Sequence, residues 1–267
     1  MLLNLQTILE QGLFRSSVAE RLSALSLLNT AIDDPALDWT LNGNPPPAKA
    51  VLFPDEPILV DPRELAKRSL TTREGRIALL HAVAHIEFTA IALALDMAYR
   101  FRSIGPTFCR DWCGVALDEA RHFKAVEARL KGLGSHYGAL PAHRGLWELA
   151  EQTDADLLAR LALIPRFMEA RGLDVTPLMI QKCRAAGDLE TVAILEMILE
   201  EEVEHVRLGS YWFRDVALTR GLDPEVTYFE LIQRFIQGGV RGPFNLKARK
   251  EAGFSDNELS ILGHLAG

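Results

Sequence analysis

The sequence predicts an all-α protein with a four-helix bundle at its centre. Apolar residues recur three and four positions apart over most of the 267 residues, which is the spacing of a helix face. Gly105-Pro106 and Gly187-Asp188 interrupt this pattern where a chain would turn between paired helices. No segment shows the strict alternation of a convincing strand. A chain of this length buries a full core without disulfides or a structural metal.

Residues 1–70 are expected to form an N-terminal helix followed by a proline-rich segment that wraps the bundle. Residues 1–32 have helical spacing, with Leu5, Ile8 and Leu9 on one face. Seven prolines then fall between Asp33 and Pro62, which excludes a regular helix there. The segment keeps several apolar residues, so we expect it to pack on the bundle rather than to form a free linker.

The bundle is predicted over residues 71–219. Thr71-Thr72-Arg73-Glu74 has the form of a capping box and opens a helix to about Ser103. A second helix follows Gly105-Pro106 and ends near Lys131. A third starts at Thr153-Asp154, is interrupted over residues 171–177 and resumes to Ala186. The fourth follows Gly187-Asp188 and ends near Thr219. Residues 220–267 are expected to add a helical extension, the whole forming one compact domain.

Composition and charge exclude several classes of protein. Lys+Arg 29 against Asp+Glu 36 gives a net charge of −7, which argues against a broad nucleic-acid surface. Three cysteines, Cys109, Cys113 and Cys183, do not make a disulfide framework and suit a reducing compartment. The N-terminus lacks the basic start of a signal peptide, and no apolar run approaches the ~20 residues of a membrane span. We therefore expect a cytoplasmic protein without a membrane partner.

Two copies of Glu-x-x-His are the strongest chemical signal. Glu119 and His122 form the first copy, and Glu202 and His205 the second. Residues three apart project from one face of a helix, so a carboxylate and an imidazole can reach the same ion. Alone the motif is weak, because seven histidines and 21 glutamates in 267 residues give about half a match by chance.

The spacing to a lone glutamate strengthens the signal. Glu87 precedes Glu119 with the spacing i, i+32, and Glu169 precedes Glu202 with the nearly equal spacing i, i+33. Within each pair, the two glutamates are separated from the intervening turn by similar numbers of residues. In an antiparallel helical hairpin this places the two side chains at similar heights along the helices, within ~6 Å at 1.5 Å per residue. Bundles that bind two iron or manganese ions use two Glu-x-x-His helices and one glutamate from each of two others. The predicted metal ligands are Glu87, Glu119, His122, Glu169, Glu202 and His205.

Some neighbouring residues leave alternatives open. Glu201 could pair with His205 at i, i+4, and Glu201 or Glu204 could instead support a ligand. We prefer Glu202 because it repeats the first motif. His81 and His85 are four apart, but His85 is about 200° around the helix from Glu87 and cannot share its ion. We expect those histidines to lie near the site or on the surface.

At these residues the sequence resembles the ferritin-like superfamily of di-iron carboxylate proteins. More narrowly, it resembles a bacterial ferritin-like family catalogued as a domain of unknown function. The strings that carry the resemblance are HAVAHIEFTAIALALD, LDEARHF, MEARGLDVTP, EEEVEHV and PFNLKARKEAGF, over roughly residues 65–255. The resemblance implies a four-helix bundle with a dinuclear Fe/Fe or Mn/Fe centre. It implies no substrate.

The expected function is that of an oxidoreductase that activates dioxygen or a peroxide at a dinuclear metal centre. An unidentified small-molecule substrate and an electron donor would be its partners, and the protein would be a monomer or a small homo-oligomer. A ferroxidase of the ferritin kind is the first alternative, although the long segments before and after the bundle suit a covered pocket better than a cage subunit. A non-catalytic helical binding protein is the second. A tRNA-modifying hydroxylase is a third, which the acidic balance does not favour.

Overall fold

Helices form nearly all of the regular structure in the computed structural model, which describes residues 4–65, 69–236 and 240–265. The predicted all-α class is confirmed, since these residues contain two isolated β-bridges but no strand. The helices are α1 (Leu5–Leu13), α2 (Val18–Ala31), α3 (Arg73–Arg100), α4 (Pro106–Gly132), α5 (Gly145–Gln152), α6 (Leu157–Leu163), α7 (Ala170–Ala185), α8 (Leu189–Thr219), α9 (Pro224–Phe235), α10 (Leu246–Glu251) and α11 (Asp256–Leu265). Parts of the predicted segments that fall on residues 1–3, 66–68, 237–239 and 266–267 lie outside the described residues.

The chain divides into two units, one ending at Asp154 and the other beginning at Ala155. The segment limits predicted at residues 70 and 219 stay predictions. In the first unit α3 packs along α4, while α1 and α2 pack against α3 and α4. The turn between α3 and α4 uses Gly105 at φ +132°, a backbone conformation that favours glycine.

Helix α3 begins one residue later than the predicted capping box. Thr72, not Thr71, is the N-cap, and its hydroxyl accepts a hydrogen bond from Gly75 N at 3.0 Å. Glu74 therefore stands at the second helical position, where its charge favours the positive helix end but where it does not complete the box.

Among the described helices, α3 is long and apolar enough to cross a membrane by length and composition alone. This finding qualifies the expectation that no apolar run approaches a membrane span. However, 67% of its most apolar window is buried within the protein. The core helix of a soluble protein has the same character, and the buried acids Glu87 and Asp96 lie on it.

In the second unit the predicted third helix is reorganised. It begins at Leu157, after an N-cap on Asp156, rather than at Thr153. The interruption predicted over residues 171–177 is wrong, because those residues continue α7. The irregularity lies earlier, where residues Ile164–Glu169 form a π-helix between α6 and α7. Helix α8 follows as predicted, with Asp188 as its N-cap.

Helix α7 continues through Pro177 because a distant residue replaces the hydrogen bond that the proline removes. Proline has no N–H, so the carbonyl of Leu173, four residues earlier, loses its helical donor. The Asn245 side chain donates to that carbonyl at 3.2 Å. Arg249 also holds Asp174 with two hydrogen bonds of 2.9 and 2.7 Å, and both side chains are buried. The segment 240–251 thereby supports the middle of α7.

Candidate metal centre

Three of the predicted ligands meet inside the first unit. Glu87 lies on α3, and Glu119 and His122 lie on α4, with exposed fractions of 3%, 0% and 0%. His122 Nδ1 is 3.2 Å from Glu87 Oε2 and 3.5 Å from Glu119 Oε2. One ligand atom from each of the three residues lies within 4.8 Å of the others. The matched distances from the Gly105 turn thus correspond to a real contact between the two helices.

Packing around the hairpin holds this cluster in place. Phe88 follows Glu87 and Phe123 follows His122, and their rings lie 5.2 Å apart. Both phenylalanines are fully buried. This contact limits the rotation of each helix about its axis, and the contact between Glu87 and His122 lies beside it in the same interface.

The electrostatics of the cluster call for a positive charge. Burial by itself lowers the pKa of His122, but the hydrogen bonds and negative charges of Glu119 and Glu87 outweigh it and raise that pKa to about 11. Two carboxylates removed from water are costly unless a cation or a proton accompanies them. Either the imidazolium proton or a metal ion meets that requirement.

The donor set fits a divalent transition metal. Carboxylate oxygens and an imidazole nitrogen suit iron and manganese, and the three cysteines, which are buried elsewhere, are absent from the cluster. Cys109 and Cys113 are small side chains of the core.

The other three predicted ligands belong to the second unit. Glu202 and His205 lie three apart on α8, with Oε1 and Nδ1 3.7 Å apart and side-chain exposures of 13% and 3%. Glu169 is half-buried and ends the π-helix. Glu204 is exposed and forms an ion pair with Arg207, so it lies on the solvent-facing side of α8. Glu201 is half-buried, and its role stays open.

The π-helix that ends at Glu169 is held by close packing on two sides. A Cβ atom on Gly209 of α8 would lie 2.4 Å from Pro165 Cβ, so only glycine allows this approach. Arg166 is buried and forms a 2.7 Å ion pair with Glu258 of α11. Its guanidinium carbon lies 4.2 Å from the centroid of the Tyr228 ring. A wider turn at this point changes the direction of the residues that follow, and π-helical segments frequently occur at functional sites.

Sequence reasoning missed these supporting residues. Arg166, Asp174 and Arg249 are charged side chains with at most 7% exposure, and periodicity alone does not distinguish them from surface charges. The sequence did contain one sign of Asp174 and Arg249, because both belong to strings that carry the family resemblance, MEARGLDVTP and PFNLKARKEAGF. Asp174 belongs to the first and Arg249 to the second, and the structure joins them.

Comparison with known proteins gives a family but no activity. Residues 14–260 match the family described as "Protein of unknown function (DUF455)". An uncharacterized protein of Haemophilus influenzae is 43% identical over 217 residues, which cover 79% of this chain and 75% of that protein. No solved structure shows a significant match. Because the family match spans most of the sequence, the chain belongs to the DUF455 family.

Proposed function

We propose that this protein is a dinuclear-metal carboxylate oxidoreductase that activates dioxygen or a peroxide on a small-molecule substrate. The observation that carries the proposal is the buried cluster of Glu87, Glu119 and His122, whose residue types recur in the second half of the chain. The fold we propose is the ferritin-like four-helix bundle, with α3, α4, the α6–α7 segment and α8 as its helices.

The six-ligand set is supported by the sequence repeat and by local structure within each unit. In the first repeat the lone glutamate lies against the Glu-x-x-His helix, as the spacing requires. The second repeat has the same residue types in the same order, with a spacing that is longer by one. Its lone glutamate, Glu169, ends a π-helix, and its Glu-x-x-His pair has a buried histidine. We infer that both repeats supply ligands to one pair of Fe/Fe or Mn/Fe ions.

The protein's own contribution would be to hold ligands, exclude water and release a proton. A bound metal pair would supply the redox chemistry toward dioxygen or peroxide. Glu87, Glu119 and His122 are buried, so the ligands would be held in an environment that water does not enter. His122 must give up the proton on Nδ1 or Nε2 to bind an ion, so loading the site would release a proton.

Metal analysis of the purified protein tests the proposal. After growth with ample iron and manganese, the wild type is expected to carry about two metal ions per chain. Glu119→Gln and Glu202→Gln should each retain less than half of that, because an amide binds these ions more weakly than a carboxylate. Asp118→Asn is the matched control, since Asp118 is partly exposed and pairs with Arg121. Metal near zero in the wild type, with no uptake on reconstitution with ferrous iron, would overturn the proposal.

A second measurement separates the proposed oxidoreductase from its alternatives. The chemically reduced, iron-loaded wild type should consume dioxygen, and Glu119→Gln should not. Size-exclusion chromatography distinguishes a monomer or small oligomer from the cage of a storage ferritin. A metal-loaded protein that elutes as a cage would favour iron storage, and a protein that binds no metal would favour a helical binding protein.

A further inference from the structure

The first unit contains a cavity on the side of α3 away from the proposed ligands. One part has a volume of about 290 Å³ and an adjoining part about 180 Å³. His85, Thr89, His143 and Leu146 line both parts. The loop after α4, the start of α5 and the proline-rich segment before α3 form the remaining walls. The larger part alone is near the lower limit of about 300 Å³ for small-molecule sites.

The cavity and the metal-ligand cluster lie on opposite faces of the same helix. His85 and Thr89 are four residues apart and share a face. Glu87 lies midway between them in sequence, about 160° around the helix from either. Its carboxylate faces His122 on α4 instead. A molecule in the cavity would therefore be separated from the Glu87 carboxylate by the body of α3.

Beside His85, the hydroxyl groups of Thr89 and Tyr137 are set to accept hydrogen bonds. His85 Nε2 lies 3.0 Å from the carbonyl of His143, so that nitrogen carries the proton. In the neutral ring, Nδ1 then accepts from the Tyr137 hydroxyl at 3.0 Å. The Thr89 hydroxyl donates to the carbonyl of His85 at 2.8 Å. Both hydroxyl protons are used, and the oxygens of Thr89 and Tyr137 offer lone pairs to a ligand donor.

A second group of side chains offers donors and a positive charge. His143 Nδ1 accepts from Gly145 N at 3.3 Å, so in the neutral ring its proton is on Nε2. Arg144 gives one N–H to Glu151. Its other guanidinium donors have no acceptor within the described part of the chain. Arg144 is the one Lys, Arg, Asp or Glu among the described residues that line the larger cavity.

The walls between these groups are aromatic and aliphatic. Trp147 is 1% exposed and packs edge to face on Phe53, with ring centroids 5.0 Å apart. Leu52 and Leu59 at the margin are each 45% exposed, so the entrance is apolar as well. Such walls favour a planar apolar body over a sugar or a nucleotide, which would need many more polar partners.

We propose that this cavity binds a small aromatic carboxylic acid that carries a hydroxyl or amine donor. The carboxylate would pair with Arg144 and His143, the ring would lie against Trp147 and Phe53, and the donor would reach Thr89 and Tyr137. The size suits a molecule of about a dozen non-hydrogen atoms. This inference does not depend on the proposed metal chemistry, because none of these contacts involves a predicted ligand.

Isothermal titration of the full-length protein with 4-hydroxyphenylacetate tests the site. We expect saturable binding of one molecule per chain with a Kd below about 1 mM. Two analogues test the chemistry at each end: 4-hydroxyphenylacetamide lacks the charge, and 4-methoxyphenylacetate lacks the donor. Each should bind at least about five-fold more weakly, as expected for one lost hydrogen bond.

Variants then locate the bound molecule. Arg144→Gln and Thr89→Val should each weaken binding about five-fold or more, and Leu146→Trp should abolish it by filling the cavity. Arg110→Gln is the control, because Arg110 pairs with Asp33 on the surface. Thermal unfolding of each variant checks that it is folded. Absence of saturable binding by the wild type, or binding that folded Arg144→Gln and Leu146→Trp leave unchanged, would overturn the proposal.

Discussion

The Nε2 atom of His81 ties a loop to α3. The side chain is 1% exposed, and Nε2 accepts from the backbone N–H groups of Gly138 and Leu140 at 3.0 and 3.4 Å. Burial, and then the nearby His85 and His136, lower the pKa of His81 to about 4. Protonation of Nε2 would break both backbone hydrogen bonds. His81 therefore acts as a neutral acceptor, and its burial excludes the surface, one of the two expected positions.

This arrangement predicts a loss of stability at mildly acidic pH. The folded pKa of about 4 lies below the ordinary value of 6.5, so the unfolded chain binds more protons between these values. The contribution of His81 is complete above pH 6.5 and is lost as the pH falls toward 4. Between pH 7.5 and pH 5 the wild type should lose about 2 kcal/mol more than His81→Gln in the free energy of unfolding.

Urea denaturation at several pH values measures this difference. Glutamine keeps an acceptor but does not titrate, and subtraction of the two curves removes the common effect of the carboxylates. His264→Gln serves as the control, because His264 is exposed. Parallel curves for the wild type and His81→Gln would contradict the assignment.

At the scale of the elements, the contact between α8 and the π-helix leads to predictions of opposite sign for two glycines. Gly209 has no room for a methyl group, since Pro165 Cβ would lie at 2.4 Å. Gly172 in α7 has no atom within 4 Å of such a methyl group. Gly209→Ala should lower the free energy of unfolding by about 1–3 kcal/mol through overpacking. Gly172→Ala should raise it by about 0.5–1 kcal/mol through helix propensity.

Chemical denaturation of both variants provides the check, with Gly172→Ala as the matched helical control. Iron binding by Gly209→Ala adds a second readout, because displacement of the π-helix would shift Glu169. We expect its metal content to fall below that of Gly172→Ala. Equal stabilities for the two variants would show that Pro165 moves away without cost.

The support of α7 by Asn245 predicts a further loss of stability. Asn245→Ala removes the donor to the Leu173 carbonyl and the side-chain cap of α10, where Asn245 Oδ1 accepts from Ala248 N at 3.2 Å. A lost cap and an unsatisfied carbonyl together should cost about 2 kcal/mol. The exposed Asn44 gives the control Asn44→Ala, expected within about 0.5 kcal/mol of the wild type. A similar small effect for Asn245→Ala would mean that water replaces the side chain.

Local signals predicted the helices well and their irregularities poorly. The glycine turns at Gly105 and Gly187 and the long apolar periodicity are local, and α3, α4 and α8 follow from them. The predicted break near Pro177 was wrong because Asn245, whose side chain replaces the lost helical hydrogen bond, lies far along the chain from α7. The π-helix depends on the lack of a side chain at Gly209, which no pattern around Pro165 reveals.

The same distinction holds for the candidate site. Glu87 could be chosen from its spacing to Glu119, since two helices joined by a short turn bring matched positions together. The cavity beside His85 could not be predicted, because it forms where residues 137–147 and the proline-rich segment meet α3. Contacts between segments so distant in sequence leave no periodic signal.

At the scale of the whole molecule, metal binding should be measurable as stability. A ligand that binds only the native protein raises its free energy of unfolding by about 2.7 kcal/mol when its free concentration is 100 times Kd. For a chain of this size that corresponds to a rise in Tm of roughly 5–10 °C. The proposed site therefore predicts that ferrous iron or manganese added to chelator-treated protein raises Tm by this amount. Calorimetry under anaerobic conditions measures the change without any assay of activity.

The variants give this last prediction its specificity. Glu119→Gln should show little or no rise in Tm, because it lacks one of the two carboxylates buried around His122. The Tm of metal-free Glu119→Gln is the reference for this comparison, because the substitution also removes one of the two carboxylates that surround the His122 imidazolium. Asp118→Asn should respond to metal as the wild type does. An equal Tm with and without metal in the wild type would favour a helical binding protein, and an equal rise in Glu119→Gln would place the metal elsewhere.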